Sequence, residues 1–284
     1  MSDNWLALVA RAAIFAVMIS LGLLLGREHV AAALQRRVKL AAIVFAVLIP
    51  VPVLAVLVVK ALGLSGPVAA GIVLMAISPG APVALRRTLT VGGRAQFAPA
   101  LHLAIVVMAV VSVPLSIAIL DAIFDAAFTI TPAQVGAQVL SAQLLPLAAG
   151  VAIRAIHRPT AAWLEPRLAR LSNILLVGLL FACLYLLWPL LVATGWMPAL
   201  AGAVSTAAAL VVGSLFAWRD AAARPQGAIA AAMRNPGLAL FIATVNHAPP
   251  EAIASVFGYA IGATVVITAY FARQTRLRAR PRDL

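Results

Sequence analysis

The sequence predicts an all-α integral membrane protein of about nine membrane-spanning helices, built as two inverted repeats with two discontinuous helices. Three observations support this fold class. Of the 284 residues, 64% are hydrophobic and 10% are charged, and the mean hydropathy is +1.07, which is outside the range of soluble domains. The basic residues fall almost entirely on alternate loops. Two apolar segments are interrupted by Pro and Gly at matching positions.

Nine apolar segments are long enough to cross a membrane, since a hydrocarbon layer about 30 Å thick requires roughly 20 apolar residues of helix. They lie at about 5–25, 39–62, 66–90, 97–120, 136–156, 171–193, 197–218, 225–246 and 250–273. Almost nothing is left for a separate domain. We therefore expect one polytopic membrane domain over residues 1–284.

The net charge of +13 would suggest a nucleic-acid partner in a soluble protein, but here the basic residues can be assigned loop by loop. Those that follow the odd-numbered spans or form the tail are Arg27, Arg36, Arg37, Lys39, Arg86, Arg87, Arg94, Arg154, Arg158, Arg167, Arg170, Arg219, Arg224, Arg273, Arg276, Arg278, Arg280 and Arg282. The opposite loops hold only Lys60. By the positive-inside rule, the N-terminus is predicted outside and the C-terminus in the cytoplasm, in an inner (plasma) membrane. The basic loops are expected to meet anionic lipid, and no nucleic-acid partner is expected.

The two interrupted segments are the third and eighth spans, with breaks at Ser78-Pro79-Gly80-Ala81-Pro82 and Arg234-Asn235-Pro236-Gly237. Pro removes a backbone N–H and Gly permits an otherwise strained turn, so both favour a true break over a kink. The spans run in opposite directions, which predicts inverted repeats over residues 1–120, with four spans, and 121–284, with five. Such paired breaks are typical of transport sites near the membrane midplane.

A new helix is predicted to begin after each break. Its N-terminus carries free N–H groups and roughly half a positive charge. Two such ends that face each other favour an anion.

Several motifs resemble the bile acid:sodium symporter-like family, as a divergent member of bacterial type. They are Ser20-Leu21-Gly22, Leu48-Ile49-Pro50, Gly63-Leu64-Ser65, the run from Gly71 to Gly80, and the run from Ala232 to Ala239. The resemblance implies a panel domain and a core domain that rock against each other, with the two broken helices crossing in the core. It covers most of the chain.

The chain departs from the family at its sodium ligands. In sodium-coupled members the second broken helix resembles Glu-x-Gly-Met-Gln-Asn, whose Glu and Gln help to bind sodium. Here those places hold Ala230 and Arg234, and Ala84-Leu85 replaces a Ser-Asn pair after the first break. All eight acidic residues are predicted to lie in loops or tails. The usual sodium sites are therefore expected to be absent, while proton coupling, exchange and uniport stay open.

The candidate substrate-binding residues are those of the breaks and their neighbours: Ser78, Pro79, Gly80, Arg86, His102, Arg234, Asn235, Pro236 and Gly237. A charged side chain at the bilayer centre must face protein or water. Arg234 is thus interpreted either as a contact for an anionic substrate or as a structural cap on backbone carbonyls freed by the break. Arg86 either faces the cavity or marks the inner flank of its span, and His102 either carries protons or packs.

The sequence thus predicts a secondary transporter of a small or amphipathic organic anion that works by alternating access. The alternative is a non-transporting membrane sensor or scaffold of the same fold. No enzyme activity, cofactor or metal is expected, because the spans contain no Asp pair, no facing Ser and His, and no His-Glu-x-x-His.

Overall fold

The structure, a computed structural model of the chain, describes residues 3–81, 84, 97–123 and 131–279. Every regular element in these ranges is helical. The helices are α1 (Asp3–Leu24), α2 (Arg27–Gln35), α3 (Arg37–Leu48), α4 (Pro50–Ala61), α5 (Gly66–Ala76), α6 (Phe97–Ile123), α7 (Pro132–Ile156), α8 (Arg158–Leu186), α9 (Trp188–Thr194), α10 (Met197–Phe216), α11 (Arg224–Ala232), α12 (Pro236–Val245) and α13 (Pro250–Ala279). The all-α membrane fold class is confirmed.

Seven of the described helices are long and apolar enough to cross a membrane, or eight if a bent pair at the N-terminus counts as one span. That pair consists of Leu8–Leu24 and Arg27–Gln35, which meet at 78°. Two of the seven spans consist of two successive helices each, α3 with α4 and α11 with α12. The third predicted span, 66–90, begins as α5, and its second half lies outside the described residues apart from Ala84.

Proline explains two irregular places in the long helices. Pro50 cannot donate a backbone hydrogen bond, and the span bends there, between α3 and α4, with Ile49 at φ −118° and ψ −67°. In α7, a π-helical turn over Leu140–Leu144 lets the N–H of Leu145 reach the carbonyl of Leu140. Pro146, which follows at once, has no N–H to offer. Both spans continue past the irregularity.

The helices pack as two groups. In the first group, α1 packs against both α7 and α8. In the second, α10 packs against α4, α11 and α13, and α13 packs against α5. Helix α12 contacts α1 from the first group and α13 from the second. The seam between the two groups therefore runs past the end of the second break.

Ion pairs join distant parts of the chain at the ends that carry the basic residues. Asp220 pairs with Lys39 and, at 3.4 Å, with Arg36. Arg154 pairs with Glu28 at 3.1 Å. Partly exposed pairs of this kind are worth at most about 1 kcal/mol each. They link α3 to the segment that follows α10, and α2 to α7.

The expectation that every acidic residue lies in a loop or tail is wrong for five residues. Asp3, Asp121 and Glu251 lie near the ends of α1, α6 and α13, and Glu28 lies in the short helix α2. Glu165 lies in α8, where its Oε1 accepts a hydrogen bond from Ser20 at 3.2 Å. The reason is that helices continue beyond the apolar segments from which the spans were predicted, or form in the loops between them. Hydropathy marks the lipid-crossing part of a helix and not its ends.

Helix α1 approaches α7 closely at Gly22. A Cβ at this position would lie 2.9 Å from the Cα of Gly150 and from the backbone nitrogen of Val151, so the backbones would have to separate. We expect Gly22→Ala to lower the free energy of unfolding by about 1–3 kcal/mol, because a tight interface is overpacked. The melting temperature of the purified protein in detergent measures this change.

Gly178→Ala is the matched control, since a Cβ at Gly178 on α8 meets nothing within 4 Å. We expect it to leave the melting temperature unchanged or slightly raised. Equal melting temperatures for both variants would contradict the close crossing of α1 and α7.

Candidate functional site

The two helix breaks lie in contact with each other. The backbone N–H of Asn235, in the second break, donates to the carbonyl of Ser78, in the first, at 2.8 Å. The side-chain amide of Asn235 reaches the carbonyl of Gly80 at 3.4 Å. Both bonds are buried, and both join residues more than 150 positions apart along the chain. The structure therefore brings together the two segments that the sequence singled out separately.

The first break begins where α5 ends, at Ala76. The hydroxyl of Ser78 donates to the carbonyl of Leu74 at 2.7 Å and so occupies one of the acceptors at the helix end. Pro79 follows, and Gly80 has φ +78°, a conformation that favours glycine. The chain thus turns out of the helix at Ser78, Pro79 and Gly80, as the sequence predicts. Pro82 and Arg86 lie outside the described residues.

The second break consists of Met233, Arg234 and Asn235, between α11 and α12. Met233 and Asn235 have extended backbones, with ψ of 100° and 92°. The side-chain oxygen of Asn235 accepts from the N–H of Leu238 at 3.1 Å and caps α12. Pro236 occupies the first turn of α12, where its missing N–H costs nothing. Gly237 packs its backbone against Ile14 of α1, since a Cβ there would lie 3.4 Å from Ile14 Cγ1.

Arg234 is buried, with 4% of its surface exposed. Its Nη2 donates to the carbonyl of Val47 at 3.0 Å, close to the bend between α3 and α4. Among the described residues its Nε and Nη1 have no hydrogen-bond partner, and no acidic side chain is paired with it. A buried guanidinium with free donors is costly unless water or an anion occupies them.

A cavity of about 200 Å³ lies against Arg234, at the seam between the two helix groups. The second break forms one wall, from Met233 to Gly237, and Ala81 of the first break contributes to it. The other walls are almost entirely apolar and come from α1, α5, α8 and α13: Ile14, Val17, Met18, Met75, Leu176, Ala260, Ala263, Thr264 and Ile267. One cation in an apolar chamber beside a helix N-terminus is suited to an anion that carries hydrocarbon.

His102 lies apart from this chamber. It is 5% exposed and lines a much smaller cavity, of about 10 Å³, between α6, α11 and the first break. Ala81 lines both cavities. The described part of the chain contains no grouping of three His, Cys, Asp or Glu side chains that could hold a metal ion.

Sequence reasoning missed the apolar walls of the larger cavity. Ile14, Leu176 and Ile267 belong to three different helices, and nothing in their local sequence separates them from ordinary membrane-facing residues. The closest signal was the Gly258-x-x-x-Gly262 pattern, which marks close packing of α13. That packing places the next turn of α13, with Ala263 and Thr264, against the chamber.

The chain matches a known protein family over much of its length. The model of the sodium bile acid symporter family matches residues 12–194, which is more than half of the chain. The chain belongs to the sodium bile acid symporter family. None of the curated proteins matches it. Membership of this family indicates an integral membrane transporter of the bile acid symporter type. The matched range contains the first break and His102, whereas the second break follows it.

Asn235 holds the two breaks together and caps α12, so its removal tests the geometry. We expect Asn235→Ala to lower the free energy of unfolding by about 1–2 kcal/mol, since the helix loses its cap and the first break loses a donor. Thermal unfolding in detergent measures the loss. Asn173→Ala, at an exposed position of α8, is the control. An equal effect of the two substitutions would argue against the bonds to Leu238 and Gly80.

Proposed function

We propose that this protein is a secondary transporter of a small or amphipathic organic anion, which it moves by alternating access. The observation that carries the proposal is Arg234, whose Nε and Nη1 are buried without a partner among the described residues at the wall of an apolar cavity. A planar guanidinium binds carboxylates and sulfonates through paired donors. The N-terminus of α12 adds a second favourable charge at the same wall.

The position of the cavity between the two helix groups supports alternating access. Its charged wall is formed by the breaks, which pack with the α10 group, and its apolar walls come from both groups, with α1 and α8 on one side and α5 and α13 on the other. A rocking motion of one group against the other would open the chamber to either side. The inverted repeats over 1–120 and 121–284, and the panel and core, are part of this proposal.

The volume of about 200 Å³ is smaller than a typical drug-sized site. It favours a small acid, or the charged end of an amphipathic one whose hydrocarbon part extends along the seam. The walls offer few hydrogen-bond donors apart from Arg234. We therefore propose that charge selects the anion and that apolar contact selects its tail.

Sodium is not part of the proposed cycle. In the family resemblance, Ala230 and Arg234 replace two sodium ligands. Arg234 is a fixed cation, and Ala230 adds only a methyl group to the small cavity beside His102. A cation beside a buried guanidinium is repelled. The charge that sodium supplies in other members is supplied here by the side chain itself.

Arg234→Gln tests the anion site. Suitable probes are benzenesulfonate and taurocholate, because sulfonates stay charged over the working pH range and do not leak as neutral acids. We expect the substitution to weaken binding of the transported probe by roughly 10–100-fold, since one charge-assisted interaction worth about 1.5–3 kcal/mol is lost. Arg234→Lys should bind with intermediate strength, because lysine keeps the positive charge but lacks the paired N–H donors of the guanidinium. Calorimetry in detergent and uptake into proteoliposomes measure both.

Arg170→Gln is the matched control, because Arg170 is exposed on α8. Unchanged binding by Arg234→Gln would remove Arg234 from the site. Uptake of neither sulfonate by the folded wild-type protein would contradict the proposed function. A probe that binds and is never moved would favour the sensor or scaffold.

A sodium gradient tests the proposed loss of the sodium sites. We expect equal uptake of the sulfonate whether sodium or N-methylglucamine is the external cation, since Ala230 and Arg234 stand at the places of two sodium ligands of the family. Initial rates in proteoliposomes with the membrane potential clamped measure this. Strong dependence on sodium would show that other groups bind the ion.

A further inference from the structure

His102 is a buried histidine in the first two turns of α6. It is 5% exposed, and its Nε2 has no hydrogen-bond partner among the described residues. Buried polar atoms are nearly always paired, so an unpaired one calls for an explanation. Histidine is also the side chain whose ordinary pKa lies near neutrality.

The cavity beside His102 is close to the smallest space that holds one water molecule. Its volume is about 10 Å³, and its other described walls are apolar: Gly80, Ala81, Ala84, Ala98, Leu101, Ile105 and Ala230. None of these residues can share a proton with His102. The imidazole is therefore the single group at this cavity, within the described residues, that can take up a proton.

The two cavities both adjoin the first break. Ala81 lines both of them, and Gly80, which lines the smaller one, accepts a hydrogen bond from Asn235 at the wall of the larger. Ala81 of the first break thus adjoins both the cavity of His102 and the chamber that contains Arg234. Charges that are buried in protein are poorly screened by solvent.

Among the described residues, no other charged group of α6 or of the helices packed against it lines the small cavity. Helix α6 packs against α2, α3 and α7, and α11 contributes Ala230 to the cavity. The other titratable or charged residues of these five helices are Arg27, Glu28, His29, Arg37, Lys39, Asp121, Arg154 and Arg224. Arg234, which donates to the carbonyl of Val47 in α3, is the one buried Lys, Arg, Asp or Glu side chain among the described residues. Arg86 and Arg87 lie outside the described residues.

We propose that His102 binds a proton that is carried together with the organic anion, so that the transporter is a proton:anion symporter. The inference rests on the proposed anion site at Arg234. In the empty transporter the guanidinium repels a proton at His102. A bound anion cancels that repulsion, so the proton binds when the anion does, and each raises the affinity for the other by the same factor. The anion and the proton together carry no net charge across the membrane.

Proteoliposomes with a pH gradient and a clamped membrane potential test the symport. With the outside at about pH 6 and the inside at about pH 7.5, on either side of the ordinary histidine pKa, we expect uptake of the transported sulfonate to rise on the order of tenfold over the rate without a gradient. His102→Gln should lose this rise, so that its uptake of the sulfonate no longer depends on the pH gradient.

His157→Asn is the matched control. His157 is exposed and caps α8 through Thr160, and Asn caps equally well, so the acid-driven rise should persist. A rise that persists in His102→Gln, or that is absent from the wild type, overturns the inference and leaves the anion transporter standing. Uptake by no variant under any condition contradicts the proposed function instead.

A second measurement does not depend on the folding of a variant. In weakly buffered detergent solution, a pH indicator reports whether the wild-type protein takes up protons when benzenesulfonate or taurocholate binds. Near neutral pH we expect uptake that approaches one proton for each bound anion. Binding without proton uptake would overturn the symport.

Discussion

The rest of the structure depends on one constraint, which is that lipid offers no hydrogen bonds to the backbone groups that a broken helix exposes. Each break here satisfies part of that demand for the other. The carbonyl of Ser78 takes the N–H of Asn235, and the carbonyl of Gly80 takes the Asn235 side chain. Two interruptions that would each be costly alone are therefore tolerable as a pair, and the pairing fixes where both helix ends point.

The position of Arg234 follows from this pairing. It precedes Asn235, so the contact between the breaks directs it away from lipid and towards α3, where it binds the carbonyl of Val47. The two interpretations of Arg234 are not exclusive. The residue does hold a backbone carbonyl near a helix bend, but that carbonyl belongs to α3 rather than to its own break. The described residues also leave Nε and Nη1 without a hydrogen-bond partner, and Arg234 lines the cavity.

Local chemistry explains which features could be predicted from the sequence. The breaks could be predicted because Pro and Gly act on their own backbone, and Arg234 because a charge in an apolar span needs an explanation anywhere. The walls at Ile14, Leu176 and Ile267 could not, since an apolar cavity wall has the composition of an ordinary core. Nor could the shared wall at Ala81, which depends on how α6 and α11 pack around the first break.

The proposed cycle has a simple mechanical basis in how the walls are divided. The charged wall belongs to the breaks, which are bonded to each other and pack with α13, so a displacement of the α10 group would move Arg234 and Asn235 as one unit. The other walls come from α1 and α8 on one side and from α5 and α13 on the other, and the close crossing of α1 with α7 at Gly22 keeps the first of these groups together. Sliding along the seam then exchanges one aliphatic contact for another at little cost, because dispersion contacts are not directional. A substrate held by charge on the moving side and by hydrocarbon on the other can stay bound throughout such a motion.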